Sequence, residues 1–556
     1  MIRSLVLAAI TWGPMLLAAG CARPPLTGPA GQHTATSVTD KPSGRDLADG
    51  NWAACREFVF RVNAYFSQHP TEAPCPLTDA RRRLLREETD LSAAQIAELE
   101  RPTLDLPDAY YLENCLLFRD AARSLIRPGA SVRKQAEAAC SWVARHVRLV
   151  EHQVTPCPPA WVLRRGWGTA VERAVVCLAL WEQLGLEGCL LRAASQRDSF
   201  GLPRLWGVGV RDGSEVWLLD VATGRAVPGP AGAEAASLRL AHRGEVAPPA
   251  GLSAEDFRQS DVVIHHAALA YAPRVHAVQA LLSADLTVRL AVDLEATLAR
   301  WRQLVPSAEV WKHDPRRPPN LWEFLPPGAG GHDRSNRQAE AERALVPWNR
   351  VPAVVRQLPP GELSDRLRYV FAQPFLALSL ETGQPRDLML RGRLDEAVAA
   401  LVRLREELHR QREQAARIPN LEETVAQWCA AAQAAYQERA RLSAAPTPAT
   451  ATAAWETVQM RLAELARASQ PVEVFLRAAV AEPLAARATY LLAVAKHEQA
   501  LAAQHRHGPG DPAVRAAWQA ALSWWTTYLE DYPDSPAAAD ARHWREQALQ
   551  AVERFP

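Results

Sequence analysis

The sequence predicts an α+β protein in which a central helix packs against an antiparallel sheet, followed by an all-α region of helical repeats. Three observations carry this. Thr169-Ala170-Val171-Glu172 has the S/T-x-x-E pattern of a capping box, in which a hydroxyl and a carboxylate satisfy each other's orphan amides. The residues that follow are apolar on every face: Val171, Ala174, Val175, Leu178 and Trp181 at helical spacing, with Val176, Cys177 and Leu180 opposite. A helix apolar all round belongs inside a domain. Second, the apolar runs 205–210 and 215–219 flank Arg211-Asp212-Gly213-Ser214, and Asp-Gly between such runs signals a hairpin. Third, from about residue 361 to the end the pattern is helical throughout.

Taken in order, residues 1–20 read as a signal peptide. Arg3 supplies the positive start, and the apolar run 5–17 is too short, and broken by Pro14, to span a membrane. Leu17-Ala18-Ala19-Gly20-Cys21 resembles a bacterial lipobox, in which cleavage precedes a cysteine that is then lipidated. Cys21 is then the membrane anchor, since acyl chains contribute about 0.8 kcal/mol per buried methylene; a plain secretory signal with an incidental cysteine is the alternative. Residues 21–50, rich in Pro, Gly, Thr and Ser, read as a flexible tether that cannot offset its ordering entropy. No later run is expected to be long or apolar enough to cross a membrane.

The remainder is ample for several domains. A net charge of +1 argues against nucleic acid as a partner, whose binding needs clustered Lys and Arg. Beyond Cys21 there are eight cysteines, none in C-x-x-C pairs or beside histidines at zinc spacing, so no metal or cofactor site is expected. The even count permits disulfides, but Cys115, Cys140, Cys177 and Cys189 lie in apolar stretches where a thiol behaves as a small hydrophobe.

A first domain is expected over 51–250. Residues 108–125 form one helix, stopped at Arg127-Pro128-Gly129. Ser131 caps the next, with Ala136, Cys140, Val143 and Val147 as its apolar stripe. Cys157 sits in a loop between Pro156 and Pro158. The central helix ends at Gly185, Cys189-Leu190-Leu191 is a short buried strand, and the hairpin follows, closed by a turn through Thr223 and Gly224. Residues 251–360 read as an α+β extension with loops, either part of the first domain or separate. There His265 and His266, adjacent on a strand, should point to opposite faces, one into the core and one to solvent. A short helix over 274–282 follows, and Leu286, Val288, Leu290 and Val292 alternate as a half-buried strand. Asp293 caps a helix running to Leu304. The glycines of Gly328-Ala329-Gly330-Gly331 lack the Lys-Ser/Thr of a phosphate loop and read as a flexible loop.

Over 361–556, Gly392-Arg393-Leu394-Asp395-Glu396-Ala397 resembles a tetratricopeptide half-repeat. The helices 516–532 and 537–555, joined by Tyr532-Pro533-Asp534-Ser535-Pro536, look like the tetratricopeptide-like pairs of bacterial envelope lipoproteins, at an irregular period. Residues 443–453 read as a linker. The arginine-rich run 403–417 also carries Glu406, Glu407 and Glu413, as a solvated helix face would.

Over roughly 130–230 the order of elements resembles the core of the transglutaminase-like, papain-related fold. In that family a G-x-C-x-x-x-A motif opens the central helix, and two strands bring in a histidine and an aspartate. Here Gly168-Thr169-Ala170-Val171-Glu172-Arg173-Ala174 occupies the motif, so the nucleophile's place holds Ala170. The histidine's place holds Arg204 or Leu205, and Asp220 alone matches the third member. A cysteine nucleophile needs a thiolate and an imidazole to make it. A methyl group supplies neither, and Asp220 has no ring to orient.

The resemblance therefore implies a domain without acyl-transfer chemistry, in a non-catalytic lipoprotein of the cell envelope. It would be exported, lipid-anchored, and periplasm-facing if the cell has an outer membrane. Cleft and helical repeats would bind a protein or peptide partner. The alternative is a cysteine hydrolase or transglutaminase-like enzyme using a displaced cysteine such as Cys157. A third reading is a scaffold with no small-molecule site.

Overall fold

The computed structural model describes residues 41–47, 50–125, 129–150, 158–197, 203–230, 234–283, 286–312, 351–379, 384–444, 448–508 and 510–554. Cys21, the signal peptide, most of the expected tether, Cys157 and the 328–331 glycines lie outside them. The chain forms two compact units, one from Gln32–Ala344 with Leu390–Arg393, the other from Leu345–Met389 and Leu394–Pro556.

The first unit is mixed α+β. Residues 44–47, read as the end of a tether, form a short 3-10 turn with Leu47 fully buried, and Asp46 is paired with Arg61 at 2.8 Å. The helices α1 (Trp52–Gln68), α2 (Asp79–Thr89), α3 (Ala93–Leu99) and α4 (Leu106–Leu125) follow. Helix α5 (Val132–His146) starts where Ser131 accepts a hydrogen bond from the Lys134 amide. Then come strand β1 (Arg148–Leu149), helix α6 (Pro159–Arg165), strand β2 (Trp167–Gly168) and helix α7 (Ala170–Leu184). Both halves of the Thr169–Glu172 capping box are made, and Gly185, at φ 79°, ends α7 in the left-handed region that glycine enters without penalty.

Strands β3 (Glu187–Arg197), β4 (Pro203–Asp212), β5 (Glu215–Asp220) and β6 (Arg225–Ala226) come next, then helices α8 (Leu238–His242) and α9 (Ala254–Arg258). They are followed by β7 (Asp261–Ile264), α10 (Pro273–Leu282), α11 (Leu294–Leu304) and β8 (Glu309–Val310). The sheet order is β6-β5-β4-β3-β7-β8, antiparallel except between β7 and β8. The predicted hairpin is β4–β5, with Val210 opposite Trp217. Helix α7 packs against β3 and β4 on one side and α4, α5 and α6 on the others. Gly188 of β3 lets it close in, because a Cβ there would lie 2.5 Å from the Trp181 ring.

Three local readings are corrected. The segment 286–293 is not a strand. Val288 and Leu290 are buried as the alternation required, but side chains take the backbone groups: Gln279 bonds Val288 O and Leu290 N, Gln183 bonds Arg289 N and O, and the Tyr111 hydroxyl donates to Leu290 O. His265 and His266 follow β7 rather than lying in it; His265 is buried and His266 half-buried. The short strand at Cys189 extends over eleven residues. The open question of the extension also closes, since β7 pairs with β3 at Leu190↔Val263 and so joins the same sheet.

The second unit is helical: α12 (Ala353–Arg356), α13 (Glu362–Ser379), α14 (Pro385–Leu390), α15 (Leu394–Ala416), α16 (Leu421–Ser443), α17 (Pro448–Arg467), α18 (Gln470–His507), α19 (Pro512–Asp531) and α20 (Ala538–Glu553). The expected linker is shorter than read, because α17 takes up its second half, starting on a proline that fits a helix's first turn. Helix α18 also corrects the membrane reading: it is long and apolar enough to cross a bilayer. It is the hub of this unit, packed by α13, α15, α16 and α19. Around its His497 stand the rings of Trp518, Trp525 and Trp544, and the Trp525 indole donates to His497 Nδ1 at 3.3 Å.

Candidate functional site

Ala170 is the first residue of α7, half-buried beside the N-cap Thr169. Two amides at the start of the helix, those of Thr169 and Glu172, are already occupied. Thr169 Oγ1 accepts from Glu172 N at 3.3 Å, and Glu172 Oε2 accepts from Thr169 N at 2.9 Å. That carboxylate also takes Arg165 Nη2 at 2.5 Å. Arg165 in turn donates from Nε to Trp167 O at 2.7 Å and lies over the Trp167 ring at 4.2 Å. Both ionic side chains are buried, at 0% and 2% exposure. The positive end of the helix, which would stabilise a thiolate, is thus complemented by a fixed carboxylate with its own counter-ion.

Arg173, one turn on, ties this end of α7 to the end of β5. Its guanidinium donates to Val147 O (2.6 Å), Ala144 O (3.1 Å), Val221 O (3.1 Å) and Ala222 O (2.8 Å). Asp220 stands just before those last two residues. It spends its carboxylate on the turn, accepting from Ala222 N at 2.8 Å and Thr223 Oγ1 at 3.0 Å. Gly224, at φ 69°, completes that turn, and a Cβ there would lie 2.8 Å from Cys140 O. Arg204 is directed elsewhere, to Gln196 Oε1 at 3.1 Å and Gly251 O at 2.7 Å. Leu205 is a core residue on β4. The structure therefore gathers the Ala170 turn and the Asp220 turn through Arg173, and holds Arg204 by partners outside both.

Arg165 and Arg173 were not singled out in the sequence. The available signal was cations within an otherwise apolar stretch: Arg164 and Arg165 follow Trp161-Val162-Leu163, and Arg173 lies on a helix apolar all round. Such residues are buried only when paired. Arg164 meets Glu113 at 2.7 Å, both essentially buried.

The cysteines near this core are buried thiols. Burial pushes Cys140 well above the ordinary range, followed by its contact with Cys177. Burial, then the Glu182 charge, does the same to Cys115. Cys75 is exposed. Among the described residues no group of three or more His, Cys, Asp or Glu is arranged to hold a metal ion. A shallow cleft lies between α2, α10 and α11, lined by Arg81, Leu85, Tyr271, His276, Asp293 and Glu295 among others. Comparisons with protein-family models, with curated proteins and with solved structures returned no match.

Proposed function

We propose that the chain is a non-catalytic lipoprotein of the cell envelope that binds a protein or peptide partner through a degenerate transglutaminase-like domain and tetratricopeptide-like helices. It is anchored through Cys21. The observation that carries this reading is the first turn of α7. Where a thiolate would need free amides and a nearby imidazole, Ala170 presents a methyl group, and Glu172 with Arg165 takes up the helix's positive end. The helical unit supports the binding half, since stacked helix pairs leave extended surfaces suited to peptides.

Three measurements test it. Ala170→Cys in the full chain should hydrolyse neither an amide nor a thioester probe, because the sulfur would lack a base; turnover by this single variant refutes the assignment. Iodoacetamide at neutral pH should label the wild-type chain at Cys75 at an ordinary thiol rate. One hyper-reactive cysteine would instead favour a displaced-cysteine hydrolase, with Cys157 the first to map. A pull-down from envelope extract should retain a partner, and a clean blank would leave an inert spacer.

A further inference from the structure

Two contacts fix how α5 lies along α7. The Trp181 indole donates to Ala136 O at 3.1 Å, and Arg173 Nη2 donates to Ala144 O at 3.1 Å. Ascending residue numbers on α5 thus meet descending numbers on α7, so the helices are antiparallel at this seam. Midway between those contacts, about one turn from each, Cys140 of α5 faces Cys177 of α7. Both are about 1% exposed, and Cys177 is the side chain whose thiol acts on that of Cys140. The seam is lined by small residues, with Ala136, Ala139 and Ala144 buried on α5 and Ala174 on α7, which allows close approach of the helices. Both cysteines are thiols in this structure.

We infer that Cys140 and Cys177 are a disulfide pair that crosslinks α5 to the central helix when the folding chain meets a disulfide-bearing oxidant, a glutathione disulfide or the disulfide of an exchange protein. The thiolate of one cysteine attacks the oxidant's disulfide and expels one thiol. The thiolate of the other then attacks the mixed disulfide and expels the second. One S–S bond breaks and one forms, two electrons pass to the oxidant, and the two cysteine protons end on its leaving thiolates. The closure belongs to folding rather than to the finished molecule, because burial holds the Cys140 thiol protonated and out of reach of reagents. Once made, the bond is shielded from reductant and stabilises by restricting the unfolded chain between residues 140 and 177. The crosslink does not depend on what the chain binds.

The test uses the full chain, denatured and reduced, then refolded either with glutathione disulfide or with dithiothreitol. Remaining thiols are blocked with N-ethylmaleimide under denaturing conditions, and the digest is mapped by mass spectrometry. The oxidised sample should yield a peptide pair joined through Cys140 and Cys177, neither carrying maleimide. Its Tm should exceed that of the dithiothreitol sample by roughly 5 °C or more. Cys177→Ala should abolish both results, whereas Cys115→Ala, on a neighbouring helix, should keep the crosslink. Maleimide on both cysteines after oxidative refolding, or a bond from either to Cys157, overturns the inference; the peptide map needs no variant to fold.

Discussion

Arg173 shows how one side chain can decide what a locus does. Four carbonyl oxygens from two segments, the end of α5 and the turn after β5, accept from its guanidinium, so its loss would leave several buried acceptors without donors. Arg173→Met should lower stability by about 3 kcal/mol or more, read as a drop in the urea midpoint at unchanged slope. His265 carries a pH dependence. Burial, then the neighbouring His266, pulls its imidazole down to about 3, and its ring stands edge-on to Trp311. Its folded value lies below the unfolded one, so the unfolded chain takes up the proton first. The stability it contributes is complete above the unfolded value of roughly 6.5 and is lost as pH falls from there toward 3. Asp256 acts lower: the Ser253 hydroxyl, then the amides of Ser195 and Gln196, hold its carboxyl down to about 2. Its contribution is present above roughly pH 4 and is lost as pH falls through 2. Between pH 6.5 and 4, His265→Gln should therefore lose less stability on acidification in urea unfolding than the wild-type chain, the opposite slope of Asp108, whose carboxyl burial pushes up to about 7, being common to both. Equal slopes in the two proteins would remove His265 as the cause.

At the scale of the element, what was legible and what was not separate by the kind of information each needs. The central helix could be read because a cap, an apolar run and a closing glycine are all local: Thr169, Glu172 and Gly185 sit within one stretch and do what their types predict. Thr169→Ala should accordingly cost about 1 kcal/mol, a typical N-cap loss. The segment 286–293 was misread because alternation reports which way side chains face, not who bonds the backbone. Val288 and Leu290 point inward as a strand's would, yet the backbone of 288–290 is bonded by Gln279 of α10 at Val288 and Leu290 and by Gln183 of α7 at Arg289, and two side-chain amides leave no trace in a hydropathy pattern. In Gln279→Leu the Leu290 amide loses its acceptor, now held at 2.7 Å. Native-state hydrogen exchange at Leu290 should accelerate about tenfold, with amides in the β4–β5 hairpin unchanged. If Leu290 kept its protection, the glutamine would not be the brace.

For the whole molecule, the α+β character and the helical C-terminal half were open to sequence because periods of two and of three to four residues differ over any long window. The pairing of Leu190 with Val263 was not, since nothing in either strand names a partner some seventy residues away. Nor was the degree to which the longest helix among the described residues is enclosed. Gln470–His507 has an eighteen-residue window of mean hydropathy 1.3, enough by composition to cross a bilayer, but 61% of that window is buried within the protein. A spanning helix turns apolar side chains toward lipid and keeps ionisable residues rare within its span. Here Val480, Leu484, Leu491, Leu492 and Val494 face protein neighbours, and the same helix carries Arg477, Glu482 and Lys496. If its apolar surface is spent on packing, the proposed attachment to a membrane rests on Cys21 alone. Made in a bacterial host and subjected to detergent phase separation, the full chain should enter the detergent phase, and a chain begun at residue 22 should enter the aqueous phase. A truncated chain that still followed the detergent would make α18 the membrane segment and would take away the reason for placing the anchor at Cys21.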